Sequence, residues 1–396
     1  MRRIFLSVFI CSFSLLSVAQ IEKADRETAA SASSPGKTSV PAPKVVAPKT
    51  GDDFIIEKLN PATSVKNQGS TGTCWSFSTT SLLESQLLKS GGSAADISEL
   101  YTVRNMYIEK GRQYLLRQGK TQFGEGGLGH DVIRSVATYG AMPEEAYPFS
   151  ADEARTVRHQ KAIRGLKNYL DTLLAHQPVA SDWQKGYEAI LDKILGPVPQ
   201  QFTYNGRSYT PKTYAAELLK FNADDYVNIT SFTHHPFYSS FVLEVPDNFS
   251  NGAYYNIPLN EMTELVRSAL KNGYTVLWDA DVSNEGFMQK QGLALNVAVA
   301  PSEAKADLPE DKWDVKKRQE LFENLSTQDD HLMHITGLEK SKGGKTFFVV
   351  KNSWGDVGPL NGYINVSESY FAINTVSLVV PKAAVSKTLL DKLKIK

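Results

Sequence analysis

One thiol in this chain stands where a nucleophile would be useful. Cys74 follows the loop Asn67-Gln68-Gly69-Ser70-Thr71-Gly72-Thr73 and precedes Trp75-Ser76-Phe77. Gly69 and Gly72 mark the loop, and Thr73 fits an N-cap. Phe77, Leu82, Leu83, Leu87 and Leu88 then recur at near-helical spacing until Gly91-Gly92 stops the pattern. A cysteine in the first turn of a helix feels the positive end of its dipole, which favours thiolate over thiol. A small buried hydrophobe is the competing reading, and placement alone does not separate the two.

A nucleophile needs a base. His159 and His176 fall in a charged helical stretch and read as surface residues. His234-His235 precede Pro236 in a loop; no third ligand suggests itself there, so no metal site is expected. His130 follows Gly126-Gly127-Leu128-Gly129 and opens a helix through Val132, Ile133 and Val136. His331 and His334 remain, on a run that reads as a strand, followed by a Gly343-Gly344 turn and a second strand from Thr346 to Asn352. Strand side chains alternate, so these two histidines point opposite ways and at most one serves a given site. A hairpin here brings Asn352 near His331. Asp279 and Asp281 follow the strand Thr275 to Trp278; they read as a strand-end turn or as residues bordering a cleft.

The elements that must hold these groups come from a chain of ordinary soluble composition. Its 396 residues carry 43 basic and 43 acidic side chains, 41% hydrophobic residues and only two cysteines. Balanced charge lacks the footprint of a nucleic-acid binder, and two cysteines exclude a disulfide framework or a thiolate-rich metal site. Arg2 and Arg3 precede an apolar run from Ile4 to Leu16 and then Ser17-Val18-Ala19, the order of a secretory signal peptide cleaved after Ala19. Cleavage removes Cys11 and leaves Cys74 as the single thiol. Residues 20–51 are rich in Ala, Ser, Thr, Pro and Lys and read as a flexible tether. The globular part is expected over 52–396.

Several motifs, taken in order, resemble the papain-like cysteine peptidases, and within them the bleomycin hydrolase or aminopeptidase C branch. They are Gln68-Gly-Ser-Thr-Gly-Thr-Cys74-Trp-Ser-Phe77, Ile97-Ser98-Glu99, Gly124-Glu125-Gly126-Gly127, Tyr147-Pro148, Asp330-His331-Leu332-Met333 and Asn352-Ser353-Trp354-Gly355. The resemblance implies an α+β, two-lobed fold, a helical lobe beside a β-barrel-like lobe, with a helical insertion at about 151–261. It makes Cys74 the nucleophile, His331 the base and acid, and Asn352 the group orienting the imidazole. Gly337, six residues after His331, fits the family pattern and selects His331 over His334. Gln68 would donate to the oxyanion, Trp354 would shield the His331–Asn352 bond, and Gly126 and Gly127 would form a wall for the substrate backbone. No cofactor is expected.

The expected partners are peptide or protein substrates, no nucleic acid, and further copies of the chain, since members of this branch form self-compartmentalising oligomers. Thr71 stands where many papain relatives carry a second cysteine, which this branch also lacks. The ending Leu390-Asp-Lys-Leu-Lys-Ile-Lys396 looks too short to reach the cleft as the C-terminal arm of the branch's aminopeptidases does. The resemblance to the branch favours an aminopeptidase, and the N-terminal segment implies export; the short ending and that export signal depart from the branch and leave open an endopeptidase or a dipeptide-releasing enzyme. An inactive papain-fold binding protein and an acyl-transfer enzyme are the remaining readings.

Overall fold

The computed structural model describes residues 44–47, 51, 53–149 and 153–396. The expected signal segment 1–19 and nearly all of the tether lie outside the described residues. Five helices make one lobe: α1 (Cys74–Lys89), α2 (Glu99–Leu116), α3 (Gly129–Tyr139), α4 (Glu153–Ala175) and α5 (Trp183–Leu195). Ser98 caps α2 by accepting from the Tyr101 amide at 3.1 Å, and Glu99 adds negative charge to its first turn. Asp131 plays a similar part at the start of α3, accepting from the Leu128 amide at 3.0 Å.

Helix α1 begins at Cys74, as its sequence predicts, but Thr73 does not cap it; that hydroxyl bonds Thr71 Oγ1 at 2.6 Å instead. The helix is buried on all sides rather than along one stripe. Its small polar residues Ser76, Ser78, Thr79 and Ser81 allow this, because each hydroxyl has a partner inside the protein. His159, expected on the surface, is buried instead, with Nε2 2.7 Å from the Tyr107 hydroxyl. The reason is that α4 packs on α2, which its charged sequence does not reveal. His176 is exposed, as expected.

The second lobe is built on a sheet. Its main strands are β1 (Phe54–Leu59), β2 (Tyr226–Thr230), β3 (Ala253–Asn256), β4 (Val276–Ala280), β5 (His331–Ser341), β6 (Thr346–Lys351), β7 (Tyr363–Ser367) and β8 (Thr375–Pro381). They run in the order β3-β2-β8-β4-β5-β6-β7, with β1 paired to β5 off this path. Inside the stretch 151–261, α4 and α5 are helical, but from Tyr226 the chain joins this sheet as β2 and β3.

Strand β5 is the pivot. Its first half pairs with β4, from His331 opposite Ala280 to Ile335 opposite Val276. Its second half pairs with β1, from Gly337 opposite Leu59 to Ser341 opposite Phe54. A register shift separates Ile335 from Gly337 on the β6 side. The glycine is required there: a Cβ on Gly337 would lie 2.6 Å from Leu59 Cδ2 and 2.9 Å from the Lys58 carbonyl.

Helices α6 (Leu259–Lys271), α7 (Val315–Glu323), α8 (Glu368–Asn374) and α9 (Lys387–Leu393) complete the lobe. α6, α8 and α9 bury Val266, Phe371 and Leu389 in one apolar cluster with Trp278 and Phe348. Burying each such side chain stabilises the fold by ~1.5–3 kcal/mol before entropy is counted. The chain's last helix therefore rests on this lobe, where Lys392 Nζ meets Glu261 at 3.0 Å.

Candidate active site

Helix α1 lies along strand β5, and the contacts between them repeat along one helix face. The Leu332 amide donates to the Cys74 thiol, the Ser78 hydroxyl donates to the Leu332 carbonyl, and Ser81 Oγ lies 2.9 Å from His334 Nδ1. Residues 74, 78 and 81 share a face by helical geometry. This register places the thiol beside the residue that follows His331.

His331 presents Nε2 to Asn352 Oδ1 at 2.7 Å, which leaves Nδ1 for another partner. The same Asn352 oxygen accepts from the Ser353 amide at 2.7 Å, so it is the acceptor in both bonds. Asn352 Nδ2 in turn donates to Gln289 Oε1 at 3.0 Å, and Gln289 Nε2 donates to the carbonyls of Val357 and Tyr363, each at 3.2 Å. Gln289 was not foreseen; it sits far from every motif, and no spacing points to it. The Trp354 ring stacks on His331, centroids 4.7 Å apart and planes at 30°, and covers the imidazole. His334 faces the other way into a buried cluster with Ser81 and Lys351. The alternation of the strand thus separates the two histidines.

Gln68 is buried and held at both ends. Its Oε1 accepts from Ser353 Oγ at 2.6 Å, its Nε2 donates to the Thr71 carbonyl at 2.7 Å, and its backbone N–H reaches the Ser353 carbonyl at 2.9 Å. One N–H of the side-chain amide remains beyond the Thr71 bond. The backbone N–H of Cys74, first in its helix, has no partner within that helix. The loops carrying Gln68 and Trp354 are stitched together again by the Gly355 amide on the Lys66 carbonyl, at 3.0 Å.

The glycine loop is clamped from two sides. Glu125 Oε2 accepts from the Gly72 amide at 2.7 Å, and its carbonyl accepts from Trp75 Nε1 at 3.0 Å. Lys110 Nζ donates to the carbonyls of Gly124 and Gly126. A Cβ on Gly127 would press the Trp75 ring at 3.1 Å, while one on Gly126 would fall inside the Asp247 carboxylate. Asp247, on the loop before β3, was also missed by the sequence reading.

Electrostatics at the thiol depart from expectation. Burial pushes the Cys74 thiol up to about 12, opposed by the Leu332 amide and reinforced by Asp329, Asp247 and Asp279. Burial also pulls the His331 imidazole down to about 4, with the Asn352 bond working the other way. The sequence suggests a resting thiolate–imidazolium pair. Desolvation favours the neutral thiol and imidazole instead. Asp279 proves to be inside β4 and buried, not in a turn.

The other histidine group has a third member after all. Ligand atoms of His234, His235 and Glu244 lie within 4.8 Å of one another. Gln319 decides its chemistry. Its Oε1 accepts from the Thr233 amide at 2.6 Å, so its Nε2 faces His234 Nδ1 at 2.9 Å. His234 then carries its proton on Nε2, which lies 3.3 Å from Glu244 Oε2. That tautomer leaves the nitrogen facing Glu244 without a lone pair for a cation.

A single thiol at a helix start, an imidazole fixed by an asparagine and covered by a tryptophan, and two lobes meeting along that line define a papain-like cysteine peptidase. Residues 113–396 match the family model described as the peptidase C1-like family, and the chain belongs to that family. The match begins within α2, after Gln68 and Cys74.

The chain is 25% identical over 375 residues to aminopeptidase C of Streptococcus thermophilus, covering 84% of this chain and 83% of that one. It is 22% identical over 383 residues to bleomycin hydrolase of Mus musculus, covering 82% of each. Among solved structures it shares its fold with PepW from Lactobacillus rhamnosis HN001, at a TM-score of 0.65 and 19% identity over 86% of this chain and 84% of that one.

Proposed function

We propose that this cysteine peptidase is an exported aminopeptidase working through Cys74, His331 and Asn352. The observation that carries the triad is the His331 Nε2–Asn352 Oδ1 bond under Trp354, on a strand whose next amide meets the Cys74 thiol. The names of the relatives support the aminopeptidase reading. As substrate arrives, the thiol proton moves to His331 Nδ1 and the sulfur attacks the peptide carbonyl carbon. The oxyanion takes hydrogen bonds from the free N–H of Gln68 and the Cys74 amide, each contributing ~3 kcal/mol. Collapse breaks the C–N bond, and His331 gives its proton to the departing amine, leaving a thioester. Water, deprotonated by His331, attacks the thioester and restores the thiol. Asn352 carries no charge and holds the imidazole in one tautomer and angle.

An epoxysuccinyl affinity label followed by peptide mass spectrometry tests the nucleophile. The adduct is expected on Cys74; its absence from folded, reduced protein overturns the assignment. Free-amine and N-blocked fluorogenic peptides test the aminopeptidase reading, which fails if blocked substrates are cut as fast. Export rests on Arg2-Arg3, the apolar run and Ser17-Val18-Ala19. A mature protein beginning at Gln20 is the expected outcome, and one beginning at Met1 overturns it.

A further inference from the structure

The space over the glycine wall is occupied by a carboxylate, and it is not an isolated one. Asp247 Oδ2 lies where a Cβ of Gly126 would be, while its Oδ1 takes a neutral donor, Gln122 Nε2 at 3.2 Å, and no other among the described residues. The Asp247 amide donates to the carboxylate of Asp329, and Asp329 faces Asp279. Asp279 is 1% exposed, takes the Ser377 hydroxyl at 2.9 Å and shares a carboxyl–carboxyl hydrogen bond with Asp329, so a proton is held between these two. All three carboxyls act on the Cys74 thiol.

Among the described residues the cation acting on Asp247 is Lys110, and its ammonium is already bonded to the carbonyls of Gly124 and Gly126. With Asp279 and Asp329 hydrogen-bonded to each other, the half-buried Asp247 is the carboxyl left facing one engaged lysine, and it is short of positive charge. Asp329 also lines a cavity of about 500 Å³ walled by Val245, Pro246, Phe322 and Leu325.

We propose that Asp247, backed by Asp329, anchors the α-ammonium of the substrate and closes the cleft beyond the first residue. This rests on the aminopeptidase reading and names the group that enforces it. The ammonium suits the position better than a side-chain cation. In an N-terminal residue the amino nitrogen is two bonds from the carbonyl carbon that Cys74 attacks, whereas a lysine ammonium lies much farther away. A carboxylate within electrostatic reach of the sulfur and seated on the Gly126 wall meets the first geometry. It also fills the path along which a preceding residue would run, so a longer or N-acylated chain loses the charge contact and meets the Asp247 side chain.

The test compares Asp247→Asn, which keeps the shape, with Asp247→Ala, which opens the path, using circular dichroism to confirm folding. Losing one partner of such a charge pair is expected to raise KM for a free-amine aminoacyl substrate by about 30-fold or more. A kcat within about threefold of the parent would mark this as lost binding and not lost chemistry. Asp247→Ala is further expected to gain cleavage of N-acetylated dipeptidyl substrates, and Asp247→Asn is not.

An unchanged KM in both folded variants overturns the inference while leaving the aminopeptidase reading intact. Parent enzyme that cuts blocked peptides as fast overturns the reading itself. A further measurement uses no variant: leucinol is expected to compete with substrate far better than N-acetyl-leucinol, and equal inhibition overturns the anchor.

Discussion

Gln289 holds Asn352 by its side-chain nitrogen, so that only the Asn352 oxygen is left for His331. An asparagine amide is nearly symmetric in shape, and without such a partner it can turn its NH2 toward the imidazole. Gln289 is itself fixed by two carbonyls from the loop and strand after Trp354. It is a positioning residue.

Replacing Gln289 by Ala leaves a buried N–H unpaired, at a cost of ~1–3 kcal/mol. The expected result is a drop in kcat of roughly tenfold, with KM nearly unchanged, since each 1.4 kcal/mol in the barrier is tenfold in rate. Gln289→Met, which keeps the bulk and loses both the acceptor for Asn352 and the donors, is expected to fall as far as the Ala variant. Steady-state kinetics of the two variants decide between positioning and mere packing.

The resting protonation state is read by the pH dependence of Cys74 alkylation. Burial pushes the thiol up to about 12 and the imidazole down to about 4, which favours the neutral pair over the ion pair. The iodoacetamide rate is then expected to climb steadily as pH rises through neutrality. A rate already on a plateau at mildly acidic pH would show that the thiolate–imidazolium pair rests in place.

Glu339 offers a test of stability away from the site. It is fully buried on β5, neither carboxyl oxygen has a partner among the described residues, and burial lifts its pKa to about 8. The folded state therefore holds this proton more tightly than the unfolded chain. Its stability is fully present below about pH 4.5 and is lost as pH rises through 8. Glu339→Gln is expected to unfold at higher denaturant than the parent at pH 9, by ~2 kcal/mol or more, and to differ little at pH 4.

Lys110 ties the glycine loop to α2 through two carbonyls. Lys110→Met keeps the stem and removes the donors, so the wall at Gly126 loses its fixed position. A fall in kcat/KM of about tenfold is expected, carried by KM, with Cys74 still labelled by an epoxysuccinyl reagent. Unchanged KM would show that the Glu125 contacts alone hold the loop.

Much of the site can be read in the chain itself. Local grammar marks the helix start at Cys74, and the β5–β6 hairpin that pairs His334 with Lys351 follows from alternation and a Gly-Gly turn. Alternation also separates His331 from His334. These features depend on neighbours in sequence, where the physics is short-range. His159 is a counterexample, because its burial is set by α4 lying on α2, a contact between distant segments.

The sequence by itself determined the nucleophile's setting, the histidine's strand and the family motifs that join them. Tertiary structure decided which distant side chains complete the site: Gln289 behind Asn352, Asp247 over Gly126, and Asp279 and Asp329 against each other. None of these lies in a periodic pattern with its partner, so no local rule brings them together. It also decides how deeply Cys74 is buried, and that burial pushes the thiol upward, against the helix dipole that its position in sequence promises.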